Sequence, residues 1–211
     1  MALTKVAIFL RKDWKVNRFR DAIISTFNSS DISEMILCSG FFQENKYFNA
    51  SNDFKDICTH NKKTLKLVGV YDYKWRTSYY DFHDNVIKNN CSSCLNVQKY
   101  RIPGMRWHAK IMIGKKDNTP IIATIGSSNM TGRAFGLSKN YNYESDVVFW
   151  DDSIDSIRQA ITQSIEENME NSDEVFISNY DEDDWRNGQQ SLENKIVQLE
   201  KDIFDVAKLA E

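Results

Sequence analysis

Apolar and polar positions alternate along this chain in short blocks, and the period of each block indicates the element it can form. Residues 6–10 are an apolar run suited to an opening strand. Further on, Phe19, Ile23, Ile24 and Phe27 recur at helical spacing with charges on the remaining face, which predicts a helix running through Phe27. Residues 34–39 are nearly continuous in apolar character and predict a buried central strand. Gly40, Phe41 and Phe42 end it, and residues 54–60 read as the close of a helix. Residues 64–70 predict the next strand, residues 71–76 a loop rich in aromatics and charge, and residues 81–88 a helix. A strand over residues 96–101 then leads into a turn at residues 102–105.

The second half begins with a strand around His108, Ala109 and Lys110. Strand alternation sends His108 and Lys110 to one face and Trp107, Ala109, Ile111 and Ile113 to the other. A polar loop over residues 114–120 reads as a hairpin connection, residues 121–125 as the returning strand, and residues 147–150 as a third apolar run. Residues 153–169 predict an amphipathic helix, capped by Ser153, with Ile154, Ile157, Ile161 and Ile165 as its inner stripe. The acid-rich residues 173–184 suggest a linker or a wrapping loop. Leu192, Ile196, Leu199, Ile203 and Val206 then repeat at alternating spacings of four and three, a short heptad stripe. Such a helix packs back on its parent domain or pairs across a dimer. The expected organisation is a main domain over residues 1–170, an acidic linker over 171–190 and a C-terminal helix over 191–211.

Composition narrows the class only a little. A chain of 211 residues supports one domain with a good core plus an appendage. Its formal net charge of −3 gives no overall basic field. The acids crowd the C-terminal third, so the part before Trp150 is basic, and a cationic cleft is available there. Within residues 11–20, basic side chains interleave with Trp14 and Phe19, a pattern that suits either phosphate and base contacts or a solvated helix face. The N-terminal apolar stretch is too short for a signal peptide, and no run reaches transmembrane length. Four cysteines in a chain of this size do not suggest a disulfide framework, so a reducing cytoplasm is the expected setting. Cys91 and Cys94, with Cys58, His60 and His83, raise a zinc site. The scattered spacing, with no second tight pair, favours thiols on a turn and no metal.

The chemistry concentrates between residues 107 and 146. An imidazole (His108) and an ammonium (Lys110) share a strand face. Gly126, Ser127, Ser128 and Asn129 follow the returning strand, and Glu144 precedes the next apolar run. Adjacent strands bring their ends together, so a potential nucleophile, cationic and amide donors, a hydroxyl and a carboxylate can converge. That set suits oxyanion chemistry, most naturally that of phosphate. In the loop after residue 70, Tyr73, Trp75 and Arg76 are candidates for substrate contact, or they merely cover the core.

The order His108-x-Lys110, Gly126-Ser127-x-Asn129 and a later Glu144 resembles the signature of the phospholipase D superfamily, and the element order over about residues 30–165 is similar to one half of such an enzyme. One departure stands out: where many members carry an aspartate after the lysine, this chain has Lys115, with Asp117 two residues later. The resemblance implies an α/β fold with a mixed central β-sheet flanked by helices, to which a C-terminal helix is appended. It also implies a helix near the active site after residue 42. His108 would be the nucleophile, Lys110 and Asn129 would bind phosphoryl oxygens, Ser127 would assist, and Glu144 would hold the imidazole from behind. The superfamily's chemistry uses a second histidine to protonate the leaving group; His60 has Lys62 two residues on but no Gly-Ser-x-Asn after it, and His83 is followed by Asp84 and Asn85, so neither completes a second motif. The missing half must then come from a second copy, which makes a homodimer with a shared cleft the expectation. No metal or cofactor is called for. The favoured function is a metal-independent DNA endonuclease of defence or restriction type, a nucleic-acid-binding enzyme without membrane insertion. A phospholipid hydrolase or transferase, and a non-catalytic dimer that binds nucleic acid, are the alternatives.

Overall fold

A computed structural model describes residues 4–57, 61–70, 75–103, 108–166 and 175–210. The elements in chain order are β1 (Thr4–Arg11), α1 (Arg18–Asn28), β2 (Glu34–Ser39), β3 (Glu44–Asn45), β4 (Phe48–Asn49), β5 (Lys63–Val70), α2 (Arg76–Lys88), β6 (Leu95–Ile102) and β7 (Lys110–Lys116). They continue with β8 (Thr119–Gly126), β9 (Glu144–Asp151), α3 (Asp155–Glu166), β10 (Val175–Asn179), α4 (Leu192–Val206) and β11 (Lys208–Leu209). Among the described residues, all strands except β3 and β4 join one nine-stranded sheet in the order β10-β1-β9-β8-β7-β2-β5-β6-β11. β2, β5 and β6 run parallel to one another, and the remaining pairings are antiparallel. The sheet is therefore mixed, as expected.

Helices lie on both faces. On the first face, Phe19, Ile23 and Phe27 of α1, Tyr79, Phe82 and Val86 of α2, and Ile157 and Ile161 of α3 join the main core with Phe9, Leu37, Leu67, Met112 and Ile122. Burying each such side chain contributes about 1.5–3 kcal/mol. Asn17 starts α1 by accepting a bond from the Arg20 N–H, so the helix begins where a side-chain cap is available. On the second face α4 lays Leu192, Ile196 and Ile203 against Ile36, Cys38, Val68, Ile111, Ile113 and Ala123. The heptad stripe thus packs back on its own sheet. Lys115, at the position where the superfamily signature has an aspartate, is buried and pairs with Glu34 of β2 at 3.1 Å and Glu200 of α4 at 2.9 Å. It ties that helix down.

Several expectations need correcting. Residues 54–60 do not close an α-helix: a 3-10 helix occupies Ala50–Phe54, preceded by the small β3–β4 hairpin, and residues 58–60 lie outside the described residues. Phe42 and Phe54 are both buried, each meeting Phe82 of α2 from a different short element. The connection over residues 114–120 is also tighter than a loop. β7 and β8 run on to Lys116 and Thr119, and the turn is Asp117 and Asn118 alone, with φ of 48° and 71°. Two residues of positive φ match the twist of the flanking strands. Residues 171–190 contain more than linker, since β10 pairs along β1 at the sheet edge; past α4, β11 pairs with β6. Ser153 donates its hydroxyl and backbone N–H to Asp151, and α3 starts at Asp155. The extension of that helix past residue 166 falls outside the described residues.

Candidate active site

Sheet direction brings the chemistry to one edge. β2 ends at Ser39, and β7 runs antiparallel to it from Lys110, with Cys38 opposite Ile111. Across the next strands Lys110 lies opposite Gly126, Gly126 opposite Asp146, and Arg11 opposite Glu144. The end of β2, the start of β7, the end of β8, the start of β9 and the end of β1 therefore share a rim.

His108 precedes β7 and is exposed, whereas Lys110, the first residue of that strand, is only 4% exposed. Strand pairing thus begins two residues later than the sequence pattern suggests, yet both side chains reach the same place. The Lys110 ammonium lies 2.8 Å from His108 Nδ1 and donates to the His108 carbonyl at 2.7 Å. An ammonium can only donate, so the ring nitrogen facing it accepts. Burial pushes the Lys110 pKa down, while the charges of Glu144 and Asp146 push it back up.

Asn129 is oriented by the end of β2. Its Oδ1 accepts from the Phe41 backbone N–H at 3.1 Å and lies 3.3 Å from the Ser39 hydroxyl. The same hydroxyl accepts from the Met130 N–H at 3.1 Å. Since a backbone N–H only donates, the amide oxygen must face Phe41, which leaves Nδ2 as a donor for a ligand. A methyl group built on Gly40 would sit 3.1 Å from Asn129 Oδ1 and 3.9 Å from His108 Cδ2, so the amide and the imidazole flank one small space.

Glu144 is buried, but its hydrogen-bond partners among the described residues are Ser127 and Asn142 rather than His108. Ser127 donates to it and accepts from the Ser145 N–H at 3.0 Å, so that hydroxyl is engaged in holding the β8–β9 ends together. Among the described residues Glu144 therefore makes no contact behind the imidazole, and its charge raises the Lys110 pKa instead. Trp75 precedes the first turn of α2, and its ring centre stands 4.9 Å from that of Phe41, beside the Asn129 contact. Arg76 begins α2 and lies over the Tyr80 ring at 5.7 Å. Tyr73 lies outside the described residues.

Residues that sequence reasoning passed over do much of the positioning. Asp146, fully buried, accepts from the Ser128 N–H at 3.1 Å and the Ser128 hydroxyl at 2.6 Å. Burial pushes its pKa up to about 6 against the pull of those bonds. A Cβ at Gly126 would come within 1.8 Å of Asp146 Oδ1, so only glycine fits there. Arg11 donates to the carbonyls of Arg133, Ala134 and Gly136 at 2.7–2.9 Å and fixes the loop that follows Asn129. The period-two pairing of Glu144 with Asp146 was the available signal for the aspartate; Arg11 was hidden inside a run of surface-like charges. Arg18 is buried as well and Arg20 pairs with Asp53 at 2.5 Å, so much of that basic run is structural.

Cys91 and Cys94 are free thiols with their sulfurs 2.9 Å apart, while Cys58 and His60 lie outside the described residues. His83 is buried against Asp84 at 2.7 Å. Among the described residues no group of three or more metal-ligating side chains occurs.

Residues 18–176 match the family model described as the NgoFVII restriction endonuclease N-terminal PLD domain. No curated protein matches the sequence. Among solved structures the chain is similar to NucT from Helicobacter pylori, at 18% identity over 79% of this chain and 96% of that one, with a TM-score of 0.45. It is also similar to phosphatidylserine synthase from Haemophilus influenzae, at 12% identity over 98% of this chain and 48% of that one, TM-score 0.49. Yeast tyrosyl-DNA phosphodiesterase aligns at 16% identity over 81% of this chain and 42% of that one, TM-score 0.39. With three quarters of its length in the family model and the motif residues gathered on one sheet rim, this chain belongs to the NgoFVII restriction endonuclease N-terminal PLD domain family, nucleases of the phospholipase D superfamily.

Proposed function

We propose that this protein is a metal-independent DNA endonuclease that cleaves through a phosphohistidine in a site shared by two copies of the chain. The observation that carries the reading is the conjunction of His108, the buried Lys110 ammonium and the Nδ2 donor of Asn129, which has no partner among the described residues, around one small space. One ring nitrogen of His108 attacks phosphorus in line with the leaving oxygen. A P–N bond forms, the P–O bond breaks, and the leaving oxygen takes a proton from the second copy's imidazole. Water, deprotonated by that same imidazole, then attacks and breaks the P–N bond. Lys110 and Asn129 hold the equatorial oxygens and oppose the charge that develops there. On the phosphate's arrival Lys110 exchanges its contact with His108 for one with oxygen. Ser127 and Glu144 keep the rim in register, and Trp75 offers an aromatic wall to the bound nucleotide.

A row of apolar side chains supports the second copy. Ile125, Val147, Ile8 and Phe176 are direct cross-strand neighbours over β8, β9, β1 and β10, on the sheet face that α4 covers only farther along. Three of them are 40%, 38% and 54% exposed, and Ile125 immediately precedes Gly126 on the catalytic rim. A self-complementary apolar strip beside a half-equipped site suits a two-fold dimer. The described cysteines are free thiols, which fits a reducing cytoplasm. Among the described residues no helix is long and apolar enough to cross a membrane.

The deciding experiment incubates the purified protein with labelled DNA, RNA and phosphatidyl lipids, each in EDTA. DNA cleavage is expected. Cleavage of lipid alone, or DNA cleavage abolished by EDTA and restored by magnesium, would overturn the reading.

A further inference from the structure

The rim carries a feature that the catalytic groups do not use. The β1–α1 connection and the loop before β9 are tied together: Arg11 holds the carbonyls of residues 133, 134 and 136, Asn17 Nδ2 donates to the carbonyls of Ala134 and Phe135 at 3.0 Å, and the Tyr141 hydroxyl donates to the Lys12 carbonyl at 2.7 Å. At this junction Lys15 and Lys139, far apart in sequence, both place their ammonium groups 5.8 Å from the centre of the Trp14 ring. Both lysines are exposed, and among the described residues neither is ion-paired. The exposed Arg133 adds a third cation on the same loop, and Tyr143, 67% exposed, stands next to Glu144.

Gathering like charges on one ring is unfavourable in itself, even after screening by salt. Cation–π attraction at an exposed site returns only about 0.5–1 kcal/mol per contact. The arrangement becomes favourable when a polyanion lies across it. We propose that Lys15 and Lys139, gathered on Trp14, bind the DNA backbone outside the scissile phosphate and lead the strand toward His108. The inference rests on the DNA-cleaving function proposed above and adds a binding track to it. Its geometry is set by Arg11 and Asn17, whose bonds hold the loop that carries Lys139 against the connection that carries Lys15. The chain's negative net charge makes a local track necessary, since no overall basic field would hold DNA.

The test measures equilibrium binding of a fluorescein-labelled DNA duplex across a salt series. All proteins carry His108→Ala so that no turnover intervenes. Each backbone contact contributes about 0.9 to the slope of log K against log salt, so Lys15→Ala with Lys139→Ala should reduce its magnitude by about 1.8 per chain, or about 3.6 where both copies of the dimer engage the duplex. Lys15→Arg with Lys139→Arg should keep the slope. Lys195→Ala with Lys201→Ala, charge-matched on α4, should leave it unchanged. Circular dichroism and thermal melts verify that every variant is folded. An unchanged slope in the alanine pair, an equal loss in the α4 pair, or a loss seen on phosphatidylglycerol vesicles but not on DNA would each overturn the proposal. Because binding is read without turnover, a wild-type protein that cleaves nothing would count against the proposed function alone.

Discussion

At the scale of single residues, the site separates groups that face the ligand from groups that hold them. In the proposed mechanism Lys110 and Asn129 hold the phosphoryl oxygens, so Lys110→Ala and Asn129→Ala should each cost on the order of 100- to 1000-fold in kcat on DNA, measured under single-turnover conditions. Glu144→Gln should cost less, because the amide still accepts from Ser127 while the support for the lysine charge is lost. Asp146 gives a stability signature instead. Its folded-state pKa of about 6 lies above the ordinary carboxylate value. Between about pH 4 and pH 6 the folded protein therefore holds a proton that the unfolded chain has lost. Stability from this group is fully present below that window and is lost as pH rises through it, a change of about 3 kcal/mol. Asp146→Asn should flatten the pH dependence of urea unfolding across the window; an unaltered slope would contradict the buried, ionisable reading.

At the scale of elements, what could be read from the sequence depended on how local the determining contacts are. β2 was legible to the residue, because a strand buried on both faces needs continuous apolar side chains whatever its neighbours. α1, α3 and α4 were legible from their stripes. β10 was not: its five residues lie between acid-rich flanks, and an edge strand with a mostly exposed face carries no clean alternation. The hairpin turn was blurred because Asp117 and Asn118 lack the glycine that usually marks two positive φ values. In the site, the two motif halves were visible as spacing, whereas the contact of Ser39 with Asn129 spans 90 residues and left no mark in either segment. The destination of α4 was left open by its heptads and settled by packing. Ile203 is fully buried against the second face. Ile203→Ala should destabilise the protein by about 2–5 kcal/mol in chemical denaturation, while a surface change such as Val197→Ala should cost little.

At the scale of the whole molecule, the shared-site model makes the unit of activity a pair. A purified heterodimer of one wild-type and one His108→Ala chain should be as inactive as the doubly substituted dimer; half of the wild-type rate would mean independent sites. The apolar row supplies a second handle on the same question. Ile125→Asp places a charge at the end of the strip nearest the catalytic rim, and sedimentation at micromolar concentration should then show single chains that retain their far-ultraviolet spectrum. Activity persisting in those single chains would remove the need for a partner imidazole.

The Asp117–Asn118 turn also fixes the order in which the site can be assembled. Lys110 and Gly126 face each other across one hairpin, so the two halves of the motif are brought together by hairpin formation, an event of about 1–10 μs. The bonds from Ser39 to Asn129 and from Arg11 to the loop after it join distant parts of the chain and carry the larger closure entropy. The motif is then an early local structure, and its orientation a late global one. Asn118→Gly, which relieves the backbone at φ of 71°, should quicken refolding in stopped-flow measurements and leave the unfolding rate nearly unchanged. A chain arrested before the long bonds form would hold His108 and Lys110 side by side with no fixed amide to receive a phosphate, and would be inert toward any nucleic acid it met while still being made.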